Sequence, residues 1–432
     1  MAQTQKDLHV GICGAGIGGL ACSIALARGG ARVTVLEAAE QLGEIGAGIQ
    51  MTPNVARLLE KWGVAEIIGE NLVEFEELNL RRRDGTKVGH SRIIPNVRRD
   101  LGHPWWVVHR AHLHEGLLKV AEKLGVKVYI DSRVEEIDYQ SSSQVICITQ
   151  KGNSYTFDLL IGSDGAKSIV RRTLFPNVRP TPPTGNCAYR AIVPYSQIRK
   201  DPVAKELIQK LTMEVWMSDA CYIITYPISA GEMFNIVLSH HVDPPVDEVQ
   251  DINISELKKQ YKNFDPRITR ILDMIPEAQR WPLLVTGPLE SWSSPQKNVV
   301  LIGDAAHSMV NHMAQGAATS MEDGAFLGLC LREVVREKIS IADAVSIYEK
   351  VRMPRAHAKQ QVSFLNGEIW HLPDGPLQEA RDKAMEPEMR GESFLRSANL
   401  YGDPVTVVCM RDYGVQFETN CDLHDSVGCL RI

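Results

Sequence analysis

The sequence predicts an α/β fold. It has a Rossmann-like, dinucleotide-binding domain, an inserted antiparallel-sheet domain and a helical C-terminal part. Three observations predict it. A strand–turn–helix–strand unit opens the chain at Val10–Glu37. A strand-rich stretch with period-2 patterning runs from Asn186 to about Val285. A buried-strand pattern then returns at Asn298–Ile302 and leads into a long helix.

The opening unit is the most informative. His9–Cys13 is a short apolar run that fits a buried strand. Gly14, Gly16 and Gly19 then supply G-x-G-x-x-G, and Leu20, Ile24 and Ala27 keep helical spacing. Arg32–Leu36 is a second β-branched run, and it ends on Glu37. Each part has a physical task. Gly14 allows the tight turn, Gly16 lets a pyrophosphate approach the backbone, and Gly19 lets the helix pack against the strand. The helix N-terminus favours the phosphate charge, and Glu37 accepts hydrogen bonds from a ribose. With strand, helix and acid all in place, the unit reads as a dinucleotide site. It does not by itself separate NAD from FAD.

Composition narrows the class. The chain has 432 residues, enough for two or three domains, and 44% apolar content allows a large core. A formal charge of −6 gives no general basic field for nucleic acid. The basic runs Arg81–Arg83 and Arg98–Arg99 read as solvated surface. Nine cysteines are scattered singly with no C-x-x-C, which suggests reduced thiols. The N-terminus has no apolar signal region, and no stretch approaches the ~18 uninterrupted apolar residues of a membrane span. The expectation is a cytoplasmic protein, monomer or homodimer.

The remaining elements follow in order. The glycines of Leu42–Asn54 suggest a close-approach loop, not a strand. Thr52 or Asn54 caps the next helix, Val55–Trp62, with Pro53 near its start. Phe75–Arg82 and Lys87–Ile93 are strands around an Asp84-Gly85 turn. Trp105–Val108 is strand-like, and Leu113, Leu117 and Val120 keep helical spacing. Arg110, where that strand meets its helix, is placed to meet an anion. His109, His112 and His114 do not form a metal spacing, because residues 112 and 114 do not share a helix face. No metal site is expected. Val126–Ile130, Val134–Tyr139, Val145–Thr149 and Tyr155–Phe157 are strands. The buried run from Asp158 turns at Asp164-Gly165, and Ser168 opens a helix.

Pro180, Pro182 and Pro183 mark a change of character. Strands are expected at Cys187–Val193, Met213–Met217, Tyr222–Tyr226 and Phe234–His240. Helical patterns interrupt them at Ala204–Leu211 and Ile254–Tyr261. Gly303-Asp304-Ala-Ala-His307 ends the returning strand, and Gln315-Gly316-Ala317 starts the long helix. Gly324, on the face of Leu327 and Leu331, allows close packing against a neighbour. The expected division is residues 1–180 and 286–372 for the dinucleotide domain, 181–285 for the substrate domain and 373–432 for a polar extension.

Three motifs stand in order: Gly14-x-Gly-x-x-Gly with Glu37, Gly162-Ser-Asp-Gly-x-x-Ser-x-x-Arg171, and Gly303-Asp-Ala-Ala-His with Gln315-Gly-Ala. This set resembles the single-component FAD-dependent aromatic hydroxylases, most closely the fungal salicylate-hydroxylase-like branch. The resemblance spans about Val10 to Pro373. It implies an enzyme that binds FAD, takes electrons from transient NADPH or NADH, and uses dioxygen to hydroxylate a phenolic or related aromatic compound through a flavin hydroperoxide. It also implies a role in fungal secondary metabolism or aromatic degradation.

The same resemblance implies site residues. Gly14, Gly16 and Gly19 hold the FAD pyrophosphate, and Glu37 binds the adenosine ribose. Gly48 passes close to the flavin, and Arg110 contacts FAD. Asp164 with Gly165 contacts both nucleotides. Asp304 binds the ribityl chain or pyrophosphate, and Gly316 and Ala317 point N–H groups at the flavin pyrimidine edge. Reduced flavin is negative there, and a helix N-terminus favours that charge. On the substrate side, Arg190 orients a phenolate or carboxylate and Tyr226 serves hydrogen bonding or proton transfer. Tyr222, an even number of residues from Tyr226 and so on the same strand face, is the reserve candidate. One departure stands out: Asn311 occupies the place of the proline in the family's His-x-Met-x-Pro. Asn adds a donor and removes rigidity. Two other readings are a flavin-dependent oxidase or epoxidase of a non-phenolic secondary metabolite, and a non-catalytic flavin-fold binding protein.

Overall fold

The structure, a computed structural model, describes residues 7–43, 47–141, 144–178 and 185–385. The boundary prolines Pro180, Pro182 and Pro183 lie outside these, as does the extension from residue 386 onward.

A five-stranded parallel sheet forms the base. Its order is Val299–Leu301, Leu159–Gly162, His9–Cys13, Arg32–Leu36 and Lys127–Tyr129. The first three strands are almost wholly buried because helices cover both faces of a parallel sheet, which is why they read as continuous apolar runs. The helices Ile17–Arg28 and Gly316–Val335 pack closely. The sequence-level role for Gly324 is visible here: a Cβ at Gly324 would lie 2.7 Å from Cys22 Cα.

A second, eight-stranded sheet lies beyond it. Its order is Gln250–Asp251, Gln279–Pro282, Asn186–Pro194, Met233–His241, Cys221–Ile228, Thr212–Ser218, Glu77–Arg82 and Lys87–Arg92. The hairpin at 77–92 thus joins this sheet from a point early in the chain, with Glu77–Arg82 parallel to Thr212–Ser218. Period-2 alternation sorts its side chains. Trp216, Ile223 and Leu238 pack on one face, with helix Pro266–Asp273. Val215, Tyr222, Ile224 and Tyr226 pack on the other. That second face looks onto the site.

Several expectations change. Gly48–Met51 is a strand, antiparallel to Trp106–His109. The glycine signal was right about close approach, but the backbone of Ile49–Met51 finds ladder partners. Residues Ala204–Ile208 form a 3-10 helix rather than an α-helix. Pro376–Ala384, within the stretch read as irregular, is a helix with Pro at its first turn. A 30-residue helix, Ile341–Trp370, closes the dinucleotide domain, and Ser340 with Asp343 forms its capping box.

Candidate active site

One cavity of ≈ 530 Å³ lies between the base and the second sheet. That falls within the usual range of about 300–1,000 Å³ for small-molecule sites. Gly16, Gly48, Arg110, Asp304, Gly316, Ala317, Arg190, Tyr222 and Tyr226 all line it. The fold therefore brings together residues scattered over three hundred positions of sequence.

The Gly-rich turn is built as its sequence suggests. Gly14 has φ +100°, and a Cβ there would lie 2.4 Å from the Ser163 carbonyl oxygen. A Cβ on Gly19 would lie 2.0 Å from the Gly14 carbonyl oxygen, so Gly19 sets the helix against the turn. Gly16 faces open space on the cavity wall. Gly14 and Gly19 thus shape the turn from behind, while Gly16, Ile17 and Gly18 present it.

Two of the expected acids are held by the protein's own backbone. Glu37 Oε2 accepts from Ala15 N at 2.6 Å and its Oε1 accepts from Ala39 N at 2.8 Å. The carboxylate spans the Gly-rich turn and is half-buried at its edge. Asp164 turns onto the following helix, accepting from Ser168 Oγ at 2.5 Å and from Ile169 N at 2.7 Å. Burial pushes its carboxyl up, opposed by these hydrogen bonds. Its neighbour Gly165 reaches the cavity wall; the Asp164 side chain orders the turn.

Asp304 behaves differently. Its carboxylate opens to the cavity and accepts no hydrogen bond from a described residue. Burial by the surrounding protein raises it, with His307, Arg110 and Arg171 pulling the other way. Nearby, Gly316 and Ala317 begin the helix Gly316–Val335, and the first N–H groups of a helix have no intrahelical acceptor. Arg110 starts its own helix, Arg110–Lys123, and its N donates to Ala47 O at 3.2 Å. His109 caps that helix through Ala111 N, and His114 Nε2 pairs with Ala15 O at 2.7 Å, so both have structural partners.

These features fit FAD. Two helix starts and Arg110 suit its phosphates and the negative edge of its reduced ring. The Asp304 carboxylate, without a hydrogen bond among the described residues, suits hydroxyl donors.

The second sheet supplies the other wall. Arg190 lies on Asn186–Pro194, with its guanidinium 5.7 Å from the Trp281 ring centroid. Tyr226 is buried against Gly48, where a Cβ would lie 2.4 Å from its ring. Gly48 N donates to Asn235 Oδ1 at 2.6 Å, and Asn235 sits opposite Tyr226 in the ladder. Burial raises the Tyr226 phenol, and Arg190 and Arg110 moderate it. Tyr222 shares that face, as its spacing requires. Its hydroxyl lies 3.1 Å from His312 Nδ1 and donates to Asn311 Oδ1 at 3.4 Å. The residue that departs from the family pattern is therefore in direct contact with the reserve candidate. Leu78, Leu80, Met213, Val215, Ile224, Val237, Trp370 and Met385 complete an apolar chamber.

Sequence reading missed His312, Trp370 and Met385. His312 follows Asn311 directly, which was the only available signal. Burial pulls the His312 imidazole down to about 3, with His371 adding to it.

Comparison with known proteins gives the family. The FAD binding domain family model matches residues 7–363. The FAD-dependent monooxygenase OpS4 of Beauveria bassiana is 32% identical over 397 residues, covering 91% of this chain and 92% of that one. The 3-hydroxybenzoate 6-hydroxylase of Klebsiella oxytoca is 31% identical, covering 92% and 97%. Among solved structures, CtdE in complex with FAD and a substrate superposes with a TM-score of 0.78 at 19% identity, covering 97% of this chain and 100% of that chain. A salicylate hydroxylase substrate complex gives 0.74 at 23%, covering 95% and 98%; at these identities both show the fold. With an open Asp304, a Gly-rich turn and a helix start on one cavity, and a family match over most of its length, the chain belongs to the FAD-binding-domain family of single-component, NAD(P)H-dependent aromatic monooxygenases.

Proposed function

We propose that the chain hydroxylates a phenol held in the apolar chamber, with its hydroxyl between Arg190 and Tyr226. The observation that carries this reading is the pairing of a cation and a buried phenol on one wall beside the aliphatic side chains of Leu78, Leu80, Val215, Ile224 and Val237. The relatives named as hydroxybenzoate and salicylate hydroxylases support the substrate class.

Gly16, Arg110, Asp304, Gly316 and Ala317 hold FAD in this reading, with Gly14, Gly19 and Glu37 shaping the turn behind them. Bound FAD supplies electrons from NADPH or NADH to dioxygen and an electrophilic oxygen atom. The chain's own residues do the rest. Arg190 stabilises negative charge on the substrate oxygen, which makes the ring a better nucleophile. Tyr226 keeps its own proton, because burial raises its phenol, and so donates a hydrogen bond to that oxygen. The aliphatic side chains in the lining offer water no hydrogen-bond partners beside the substrate ring. We place the protein in the cytoplasm on the free buried thiols among the described residues. No helix among the described residues is long and apolar enough to cross a membrane.

The test is NADPH and NADH oxidation by the FAD-loaded protein across a panel of phenols, with products followed by mass. The expected outcome is substrate-stimulated oxidation and one added oxygen atom. Arg190→Ala should then lower kcat/KM by about 10²-fold. Bound FAD with no stimulated NADPH or NADH oxidation, but hydrogen peroxide formed from a substrate alone, would move the chain to the oxidases.

A further inference from the structure

A buried ring of hydrogen bonds joins two walls of the cavity. Lys359 Nζ donates to Gln315 Oε1 at 3.1 Å. Gln315 Nε2 donates to Thr52 Oγ1 at 3.0 Å, and Thr52 Oγ1 donates to Asn54 Oδ1 at 2.5 Å. Asn54 Nδ2 donates to Glu322 Oε1 at 2.7 Å, and Lys359 Nζ closes the ring on Glu322 Oε2 at 3.2 Å. Every member is at most 3% exposed. Thr52 and Gln315 both line the cavity. Thr52 ends the segment that carries Gly48. Gln315 immediately precedes Gly316 and Ala317, so the ring fixes the helix start to the strand beside it.

Lys359 is the unusual member. It is 1% exposed, deep in the helix Ile341–Trp370. Burying an ammonium is costly, and an apolar side chain of similar length would pack those helices without that cost. Glu322 is also met by Arg352 Nη2 at 3.0 Å and Arg355 Nε at 3.4 Å, with Arg352 shared with Asp323, so Lys359 is one of three cations around the pair and the one that also reaches Gln315. What Lys359 adds is a positive charge one hydrogen bond from the residue that precedes the helix start. Reduction adds two electrons and one proton, and leaves one negative charge, on the isoalloxazine ring. A fixed buried cation behind the cavity wall, one side chain from it through Gln315, favours the reduced state more than the neutral oxidised one.

We infer that Lys359 is a positioning residue that holds this ring and biases bound FAD toward its reduced, anionic form. The inference rests on FAD occupying this cavity, so FAD content per chain is measured first. The test is the midpoint potential of the FAD-loaded protein, read by dye equilibration during dithionite reduction. Lys359→Met should lower the reduced-to-oxidised affinity ratio about tenfold, equivalent to ~30 mV for a two-electron couple. Lys359→Arg should retain most of the wild-type ratio. Glu322→Gln removes a negative charge from the same ring and should raise the ratio. A merely structural ring would move Lys359→Met and Glu322→Gln in the same direction, so that result overturns the inference, as does an unchanged potential in Lys359→Met. Should Lys359→Met fail to fold or load FAD, Glu322→Gln alone decides the sign: a raised ratio supports the inference, and an unchanged or lowered one overturns it. Absence of FAD from wild type would instead sink the cofactor assignment.

Discussion

Tyr222 and Tyr226 lie on one strand face with Ile224 between them, yet their partners separate their tasks. The Tyr222 hydroxyl donates to Asn311 Oδ1 and shares a hydrogen bond with His312 Nδ1, so it is tied to the segment beside the long helix. Removing that hydroxyl also orphans His312, whose Nε2 is already buried without a partner. Tyr222→Phe should therefore lower the melting temperature, by an amount equivalent to about 1–3 kcal/mol, as well as slow turnover. Among the described residues the Tyr226 hydroxyl faces only the Asn235 amide, whose Oδ1 is already held by Gly48 N, so less depends on it. Tyr226→Phe should reduce kcat about 10²-fold and leave the melting temperature nearly unchanged. Steady-state kinetics and thermal melts read both quantities, and equal stability losses in the two variants would contradict this division. His312, held near 3 by burial, stays neutral at working pH and adds no limb to the rate profile between pH 5 and 9.

At the scale of elements, two glycines in one helix set the site. Gly324 packs on Cys22 and Gly328 on Ala25, so the helices Ile17–Arg28 and Gly316–Val335 approach closely. Their N-termini then reach the same cavity. A methyl at position 324 meets backbone 2.7 Å away, and neither helix has a flexible side-chain end there to yield. Gly324→Ala should cost about 1–3 kcal/mol in stability and weaken FAD retention. Denaturant unfolding with and without added FAD measures both. A variant as stable as wild type would mean that the helices shift apart without loss.

At the scale of the molecule, a buried ionic network ties helix Gly316–Val335 to helix Ile341–Trp370. Burial alone would raise the Glu322 carboxyl, but Lys359, Arg352, Arg355 and the Asn54 amide hold it at about 2. Asp323 is likewise lowered, by His307 and Arg352 against its burial. A carboxyl depressed in the folded state stabilises the fold above its unfolded value of about 4.3, and that stability is lost as pH falls toward the folded value. Acid unfolding should therefore steepen between pH 4.5 and 2, with Glu322 contributing on the order of 2–3 kcal/mol. Glu322→Gln should flatten that part of the stability curve measured by urea titration. A curve as steep as wild type would assign the acid sensitivity elsewhere.

Much of this was legible locally. Gly14, Gly16 and Gly19 announce a turn whose geometry follows from missing Cβ atoms, and the apolar runs at His9–Cys13 and Leu159–Gly162 announce buried parallel strands. The even spacing of Tyr222 and Tyr226 already places them on one face, because strand side chains alternate with period two. Other features needed the folded chain. No local pattern says that the hairpin at 77–92 joins a sheet built mainly from residues more than a hundred positions later, since strand pairing is set by packing between faces. Nor does a Lys in an amphipathic helix reveal that it is buried: Lys359 reads as surface until Gln315 and Glu322 are brought to it. The sequence determined the cofactor class and the two walls of the site. Only tertiary contact decided which polar groups meet across them, because hydrogen-bond partners 263 and 268 residues apart leave no trace in local spacing.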